Sequence, residues 1–401
     1  MVWLVGVALA PNFAGQIIMR FLAGLSGSVL LAVHAASTAD LFGPVYRTLF
    51  WPIIALASFW GTVLSPIVGA AITQTDTWWR WAEWIPVIMS GSTLIFTLFF
   101  LPETFGPVLL SWRAKHLRDL TDCQRFQSEL DLQRTFAQRL KTALQRAFHM
   151  VTKEPIVLLL GTWLVVEYLV VFSLLHGLSY AFGDTYGFNT IMTELPFFAI
   201  GAGATVWSCT VPVYYIYYKR KVGALHEQIT GQPRADLLHA ANIPGNDLPQ
   251  PEYRLWMALL AAPALPISMF WFGWSNYNSI SPWSGIMALF LLGFSWAGIY
   301  VTVYQYILDT YGIYAGSALA MVTCWRYLAS GAANLYSADM YAGIGVHWSA
   351  TWLGILGVLQ APLPYLFYKY GHRIRMKSAF AGMYARPANP REREGKALTY
   401  T

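Results

Sequence analysis

Residues 156–180 read IVLLLGTWLVVEYLVVFSLLHGLSY, and within this stretch Glu167 is the one acidic side chain, with no lysine or arginine beside it. A helix of roughly 20 mostly apolar residues is long enough to cross the ~30 Å hydrocarbon layer of a bilayer. Because the stretch exceeds that length, it predicts a membrane-spanning helix. An ionisable residue is expensive to keep inside such a helix, which makes Glu167 a candidate functional residue.

The rest of the chain has the same character. Of its 401 residues 56% are hydrophobic and only 11% are charged, whereas soluble domains carry about 25% charged residues. This composition excludes ordinary cytosolic enzymes, secreted disulfide scaffolds and disordered proteins, and it predicts an all-α integral membrane protein. Residues 1–10 form a further apolar stretch of about half the necessary length, a partial span. The full predicted spans cover about 14–36, 50–72, 84–101, 156–180, 195–218, 255–274, 284–308, 314–336 and 347–369.

Lysine and arginine are concentrated in one set of alternating loops. They fill the 102–154 segment, the 219–254 loop and the C-terminal tail, while the opposite loops hold only Arg80. Cytoplasmic loops of membrane proteins carry this excess, so the pattern predicts that the long central loop and the C terminus are cytoplasmic. The net charge of +6 then follows from topology, and no nucleic-acid partner is expected.

The long central loop divides the chain. We predict a partial N-terminal helical half over residues 1–101, a central loop with an amphipathic helix over 102–154, a six-helix C-terminal half over 155–370 and a tail over 371–401. In the central loop, apolar residues recur every four positions among basic ones, which favours a helix on the membrane surface, with a regulatory or partner-binding helix as the alternative. The apolar positions are Leu132, Phe136, Leu140, Leu144 and Phe148.

A weak internal repeat relates the two halves. Asp40 and Asp309 each end an apolar span, and each is followed by a Gly/Ser-containing span. Two similar halves around a long cytoplasmic loop are typical of parallel-repeat transporters. Two polar segments complete the organisation: residues 223–251 are predicted to be flexible and residues 386–401 disordered.

Arg20 lies inside the 14–36 span and is followed by Gly24 and Gly27. An arginine at the centre of a span costs roughly 2.5–3.5 kcal/mol on insertion scales, so a partner is expected. The glycines would let a neighbouring helix approach. Two interpretations stay open: Arg20 tunes the proton affinity of a nearby carboxylate, or it snorkels from a helix end to the interface.

Arg326 lies about midway along the 314–336 span, which predicts an interior or cavity-facing position. Glu167 and His176 are nine residues apart and therefore lie on different sides of one helix. His176 could relay protons, but its place near the outer end of the span favours a hydrated interfacial histidine. For Glu167 the sequence leaves the functional and the structural interpretation open.

The 50–72 span contains Gly61-x-x-x-Ser65-Pro66-x-x-Gly69-Ala70. Proline kinks a helix and small residues permit close approach, so the pattern predicts a helix-packing motif. Beyond this span, four tryptophans cluster at the outer boundary, as in an interfacial aromatic belt. They are Trp78, Trp79, Trp81 and Trp84.

The sequence carries no motif of hydrolases, zinc proteases or P-loop ATPases. Its cysteines, Cys123, Cys209 and Cys324, are far apart and lack metal-ligand spacing. We therefore expect a protein that is not an enzyme, holds no metal or cofactor and does not hydrolyse ATP.

Taken together, these residues resemble the major facilitator superfamily, and within it the fungal twelve-helix drug:proton antiporters, the branch that includes polyamine and multidrug exporters. Arg20-x-x-x-Gly24 resembles the fourth-helix motif of that family. The 61–70 pattern is similar to its fifth-helix antiporter motif, with Ser65 and Ala70 in place of glycine. Further matching landmarks are the loop-motif candidates Asp40, Arg47 and Asp309, then Leu101-Pro102-Glu103-Thr104, Tyr186-Gly187-Phe188, Tyr311-x-x-Tyr314-Ala315, Arg326 and Tyr368-x-Tyr370-Gly371.

The resemblance implies two pseudo-repeat helical halves that export a small organic compound (a drug, toxin, fungal secondary metabolite or polyamine) in exchange for protons. Arg20 would act in coupling and Arg326 would supply charge in the cavity, with Glu167 and His176 as further coupling or substrate candidates. His176 stands where many relatives carry an acidic residue. The implied setting is a monomer in the lipid bilayer of the plasma membrane rather than the vacuole, driven by the proton gradient without a cofactor.

In this register Met1 falls inside the third helix of the family, and the G-x-x-x-D-R-x-G-R loop signature is missing from the sequence. We therefore expect an N-terminally truncated chain. A transport-inactive or interaction-only fragment is a second hypothesis. An uptake porter of the same fold is a third, and the antiporter-like motif argues against it.

Overall fold

A computed structural model describes residues 1–74, 79–121, 123, 125–128, 136–230, 250–378 and 380–381. This part of the chain is almost entirely helical and contains no β-strand, as the composition predicts. Three predicted features lie outside it: Leu132 of the amphipathic pattern, most of the flexible 223–251 segment and the disordered 386–401 tail. Trp78 and the side chains of Asp40 and Phe136 also lie outside the description.

The helices follow the predicted spans closely, because a span must satisfy its backbone hydrogen bonds within itself. In chain order they are α1 (Val2–Leu9), α2 (Phe13–Leu41), α3 (Pro44–Gln74), α4 (Trp81–Phe100), α5 (Gly106–Thr121), α6 (Phe136–Lys153), α7 (Pro155–Leu178), α8 (Thr190–Glu194), α9 (Phe197–Thr230), α10 (Trp256–Trp274), α11 (Pro282–Tyr311), α12 (Ala315–Gln360) and α13 (Leu363–Lys377).

Seven helical stretches among the described residues are long and apolar enough to cross a membrane. The last of them, Ala315–Lys377, joins α12 to α13 and contains a break at Gly345, where φ is +75°. Only glycine adopts such a backbone without strain, so Gly345 separates the stretches predicted as 314–336 and 347–369. The total of nine full spans stays a prediction.

One continuous apolar core joins α3 to the helices from α7 onward. α7 packs along α12, and α3 packs against α9 and α11. α9 and α11 cross with their backbones in contact, since a Cβ added to Gly203 would overlap the carbonyl of Phe290 on the other helix. Small residues allow this approach in apolar surroundings.

The predicted packing role of the small residues in α2 and α3 stays a prediction. A Cβ built on Gly24, Gly27, Gly61 or Gly69 meets no heavy atom of the described residues within 4 Å. The reason is helical phase: α3 buries a stripe with a four-residue repeat against α9 and α11, and Gly61, Ser65 and Gly69 lie two residues out of phase with it, on the opposite face. The buried stripe consists of Trp51, Ala55, Phe59 and Val63.

The described residues between α4 and α7 form two helices rather than the one predicted. α6 corresponds to the predicted amphipathic helix, and its Leu140, Leu144 and Phe148 are exposed. The opposite side of α6 packs on the bundle, where the Arg146 guanidinium lies 5.0 Å from the ring centre of Tyr314. α5 precedes it and was not predicted.

Candidate functional site

Arg326 lies inside the bundle, as its depth in the span predicts, and is 1% exposed. Its Nη1 donates a hydrogen bond of 2.9 Å to the hydroxyl of Tyr168 on α7. Four tyrosine rings surround the guanidinium, with ring centres between 4.5 and 5.3 Å from Cζ. A guanidinium held over aromatic faces is favourable in a desolvated site. The four rings belong to Tyr168, Tyr300, Tyr304 and Tyr327.

Glu167 precedes Tyr168 in α7 and is fully buried. Neither of its carboxylate oxygens has a hydrogen-bond partner among the described residues. The charge of Arg326 acts on this carboxylate without a hydrogen bond between them. Burying a carboxyl group without hydrogen-bond donors costs free energy of folding. Such groups are rare in native proteins and are often functional.

Aromatic side chains from α3 complete this region. The ring of Phe59 lies 4.6 Å from Trp296 and 5.3 Å from Tyr300, centre to centre, and Trp51 stacks on Tyr304 at 5.8 Å. The set formed by Trp51, Phe59, Glu167, Tyr168, Trp296, Tyr300, Tyr304, Arg326 and Tyr327 is here called the aromatic site. It lies where α3 meets the α7–α13 helices, with one cation and one acid inside.

A second charge cluster lies where α3 begins and α11 ends. Asp309 accepts from Arg47 through one oxygen and from Nε of Arg254 through the other, at 2.7 Å for the latter. Arg254 also donates to Thr48 and, at 3.2 Å, to Gln305. We call these five residues the Asp309 network. It ties α3 to α11 and brings together two of the predicted loop-motif residues, Arg47 and Asp309.

Arg20 has the partner that its position in a span requires. It forms an ion pair with Glu83 at the start of α4. The pair borders an open cavity of about 520 Å³, and the Arg20 side chain is 65% exposed. No described contact links Arg20 to Arg326 or Glu167, so the predicted coupling residues occupy two separate places.

His176 is partly exposed and contacts α12. Its Nδ1 lies 3.0 Å from the hydroxyl oxygen of Ser337. Although Glu167 and His176 differ by half a turn around α7, both interact with α12, because that helix runs along α7 over this whole length.

Several residues of these clusters were not found from the sequence. Arg254 was counted as a loop residue, yet it is 1% exposed. Its position beside the first turn of an apolar helix was a usable signal, as was the four-residue spacing of Tyr300 and Tyr304 on α11.

Glu154, outside both clusters, gave no signal in the sequence. It is fully buried and accepts hydrogen bonds from Tyr311, Ser378 and the Phe380 amide.

The fold is shared with a transporter of known structure. The crystal structure of the human organic anion transporter MFSD10 (TETRAN) superimposes with a TM-score of 0.55 over 90% of this chain and 75% of that chain. The two sequences are 20% identical, so the likeness concerns the fold alone.

Fungal relatives are much closer in sequence. The chain is 43% identical over 381 residues to the MFS-type transporter kojT of Aspergillus flavus, covering 94% of this chain and 64% of that protein. It is 33% identical over 380 residues to the MFS-type efflux pump MFS2 of Trichophyton rubrum, covering 94% of this chain and 60% of that protein. The chain thus spans somewhat less than two thirds of the length of these relatives. The family model of the Major Facilitator Superfamily matches residues 1–334, and the chain therefore belongs to that superfamily of membrane transporters.

Proposed function

We propose that this protein is a secondary transporter that exports a small organic compound in exchange for protons. The observation that carries the proposal is the aromatic site: a tyrosine-enclosed Arg326 together with the buried Glu167, which has no hydrogen-bond partner among the described residues. Transporters of this architecture bind substrate near the membrane midplane between two helical groups, and the site lies at such a boundary.

The aromatic site suits flat organic molecules. Ring faces from α3, α7 and α11 present apolar area and π surface from several directions. Ligand sites of proteins combine such walls with a few polar groups that fix orientation. Here Arg326 and the tyrosine hydroxyls would supply those groups. Drugs, toxins and fungal secondary metabolites include flat molecules of this kind, whereas polyamines are flexible polycations that a site around Arg326 favours less. The efflux pump MFS2 is a relative.

Glu167 is our choice for the group that carries the exchanged proton. A carboxyl with no donor around it is compatible with a neutral, proton-loaded acid, and ionisable residues inside membranes mark proton pathways. Deprotonation would leave Glu167 as an anion. The positive charge of Arg326 would stabilise this anion until a substrate or a proton binds. The Arg20–Glu83 ion pair, at the predicted outer end of the spans, would then also affect proton coupling.

Alternating access requires that one end of the transporter close while the other opens. We assign the closed end to the Asp309 network, which joins α3 to α11 through two arginines and one carboxylate. With the basic central loop and the C terminus in the cytoplasm, this end faces inward. The transporter would then face outward, in a plasma membrane, when Glu167 receives its proton.

The test compares two modes of transport for the full chain in proteoliposomes, with rhodamine 6G as the first dye of a panel. Wild type should move dye against its gradient when a pH gradient is imposed. Glu167→Gln should lose this pH-driven transport but keep dye–dye exchange, because exchange needs no proton release. Asp184→Asn removes an exposed carboxylate at the outer end of the same span and should retain both modes.

Each result has a distinct meaning. If wild type moves no dye of the panel in either mode, the transport proposal fails and an interaction-only protein is favoured. If pH-driven transport persists in Glu167→Gln, export stands and Glu167 is not the proton carrier. If the pH gradient drives dye in the direction of proton flow, the protein is an uptake porter.

A further inference from the structure

The surface of α5 points to a partner that transport itself does not require. α4 is a membrane span whose last turn is exposed on the bundle surface, with Phe99 79% and Phe100 76% exposed. α5 begins at Gly106, and the intervening residues can reach no further than about 18 Å. The Glu103 carboxylate shortens that reach by accepting from the amides of Thr104 and Phe105, at 2.9 and 2.8 Å. α5 therefore starts at the membrane boundary.

No described residue covers the apolar side of α5. Leu109, Leu110, Leu117 and Leu120 project within about a third of the helix circumference, since 3.6 residues make one turn. All four are exposed, Leu120 to 69% and Leu110 to 60%. An exposed apolar stripe of this kind marks an interaction site.

Basic side chains accompany this stripe. Arg113 projects from its centre and Lys115 from the polar side, and both are exposed. Arg113 also borders a recess of about 520 Å³ together with Leu109, Leu110, Trp112 and His116. A tryptophan and a cation beside leucines are the side chains that a helix uses at the level of phospholipid headgroups.

We propose that α5 lies on the anionic leaflet of the membrane, with its leucines among the acyl chains and Arg113 on a phospholipid headgroup phosphate. The inference goes beyond transport and needs only that α4 spans the bilayer. α6, with its exposed Leu140, Leu144 and Phe148, adds a second apolar contact in the same connection. The connection between the two helical groups is thereby anchored to a lipid surface and would respond to its charge.

Spin labels measure the depth of α5 directly. In a background with the three cysteines replaced by serine, a nitroxide is placed singly at Leu109→Cys, Leu120→Cys, Lys115→Cys or Asp119→Cys. The full chain is reconstituted in phosphatidylcholine vesicles with or without phosphatidylserine. We expect the labels at 109 and 120 to collide with oxygen more than with a water-soluble nickel chelate, and those at 115 and 119 to show the reverse.

The contribution of charge is tested with Arg113→Gln, because Arg113 is the cation at the centre of the stripe. One cation near an anionic surface changes the docking equilibrium roughly fivefold, so docking at 109 and 120 should weaken about fivefold in phosphatidylserine vesicles. The matched control is Lys219→Gln in the C-terminal half of α9, which removes equal charge and should leave both labels unchanged.

Three outcomes would overturn the inference. Equal nickel accessibility at 109 and 115 would place α5 in water. Protection of label 109 from both oxygen and nickel would mean that protein covers the stripe. If inorganic phosphate in phosphatidylcholine vesicles protects label 109 as well as phosphatidylserine does, the recess binds a free anion instead.

Discussion

Two charge clusters lie where α3 meets the later helices, and they are built in opposite ways. In the Asp309 network a single carboxylate serves two arginines, and Arg254 reaches two further acceptors. In the aromatic site Arg326 has one tyrosine hydroxyl and four rings, while the described residues offer Glu167 no hydrogen bond. In the first cluster each oxygen of the shared carboxylate has a donor, whereas in the second neither oxygen of Glu167 has one among the described residues.

The contrast distinguishes a structural role for the Asp309 network from a functional role for the aromatic site. A buried ion pair stabilises when geometry and extra hydrogen bonds offset the loss of hydration. In the Asp309 network the carboxylate accepts through both oxygens, and Arg254 donates to two further acceptors, although Nε of Arg47 and Nε2 of Gln305 have no partner among the described residues. In the aromatic site no described donor fixes the carboxylate of Glu167, which would leave it able to bind a proton or to pair with a cation. Unsatisfied polar groups in a native protein are expected where function requires them.

Removing the shared carboxylate should have the largest effect on stability. Asp309→Asn leaves Arg47 and Arg254 without their counter-charge in a site where both are nearly buried. We expect a loss of about 3–5 kcal/mol in the free energy of unfolding, measured by denaturation of the purified protein in detergent. Asp184→Asn at the exposed end of a span should cost less than about 0.5 kcal/mol. A loss of similar size in both variants would remove the special role of the network.

Two fully buried carboxylates on α7 and its N-cap sharpen the comparison. Glu154 accepts from Tyr311, Ser378 and the Phe380 amide, so Glu154→Gln should cost about 3 kcal/mol through lost charge-assisted hydrogen bonds. Glu167→Gln loses no such bond and should change stability by less than about 1 kcal/mol. The same unfolding measurement applies to both. Equal losses would mean that Glu167 has donors after all.

The hydroxyl that holds Arg326 can be removed without its ring. Tyr168→Phe should cost about 1.5 kcal/mol, because a hydrogen bond to a charged group is lost while the aromatic face remains. Tyr327→Phe is the matched control, since its ring lies at a similar distance of 4.9 Å. Thermal unfolding with and without dye should show the larger shift for Tyr168→Phe. The reverse order would assign the orientation of Arg326 to Tyr327.

The smallest change is expected at the outer pair. Because the Arg20 side chain is 65% exposed, Arg20→Gln should cost at most about 1 kcal/mol, and less in high salt. Transport is the more sensitive readout: if Arg20 acts in coupling, the pH dependence of dye export shifts while the unfolding curve stays in place. An unchanged pH dependence would leave the pair a surface contact.

Sequence patterns predicted the interior position of Arg326 and the need for a partner at Arg20, since both follow from the cost of charge in hydrocarbon. They left open which face of α3 is packed at Gly61 and Gly69, because a small-residue pattern permits close packing without specifying a face. They also left Arg254 in a loop, since hydropathy alone does not distinguish a buried cation at a helix start from an exposed one.

By itself the sequence determined the membrane setting and the helices, and it predicts which side of the membrane carries the basic loops. These properties are local, because each backbone hydrogen bond of a span closes within that span and each residue contributes its own transfer free energy. Which charges meet was decided by tertiary structure. Arg47 and Asp309 lie 262 residues apart, and Tyr168 and Arg326 lie 158 apart. Only the packing of α3 and α7 on α11 and α12 brings them within hydrogen-bonding distance.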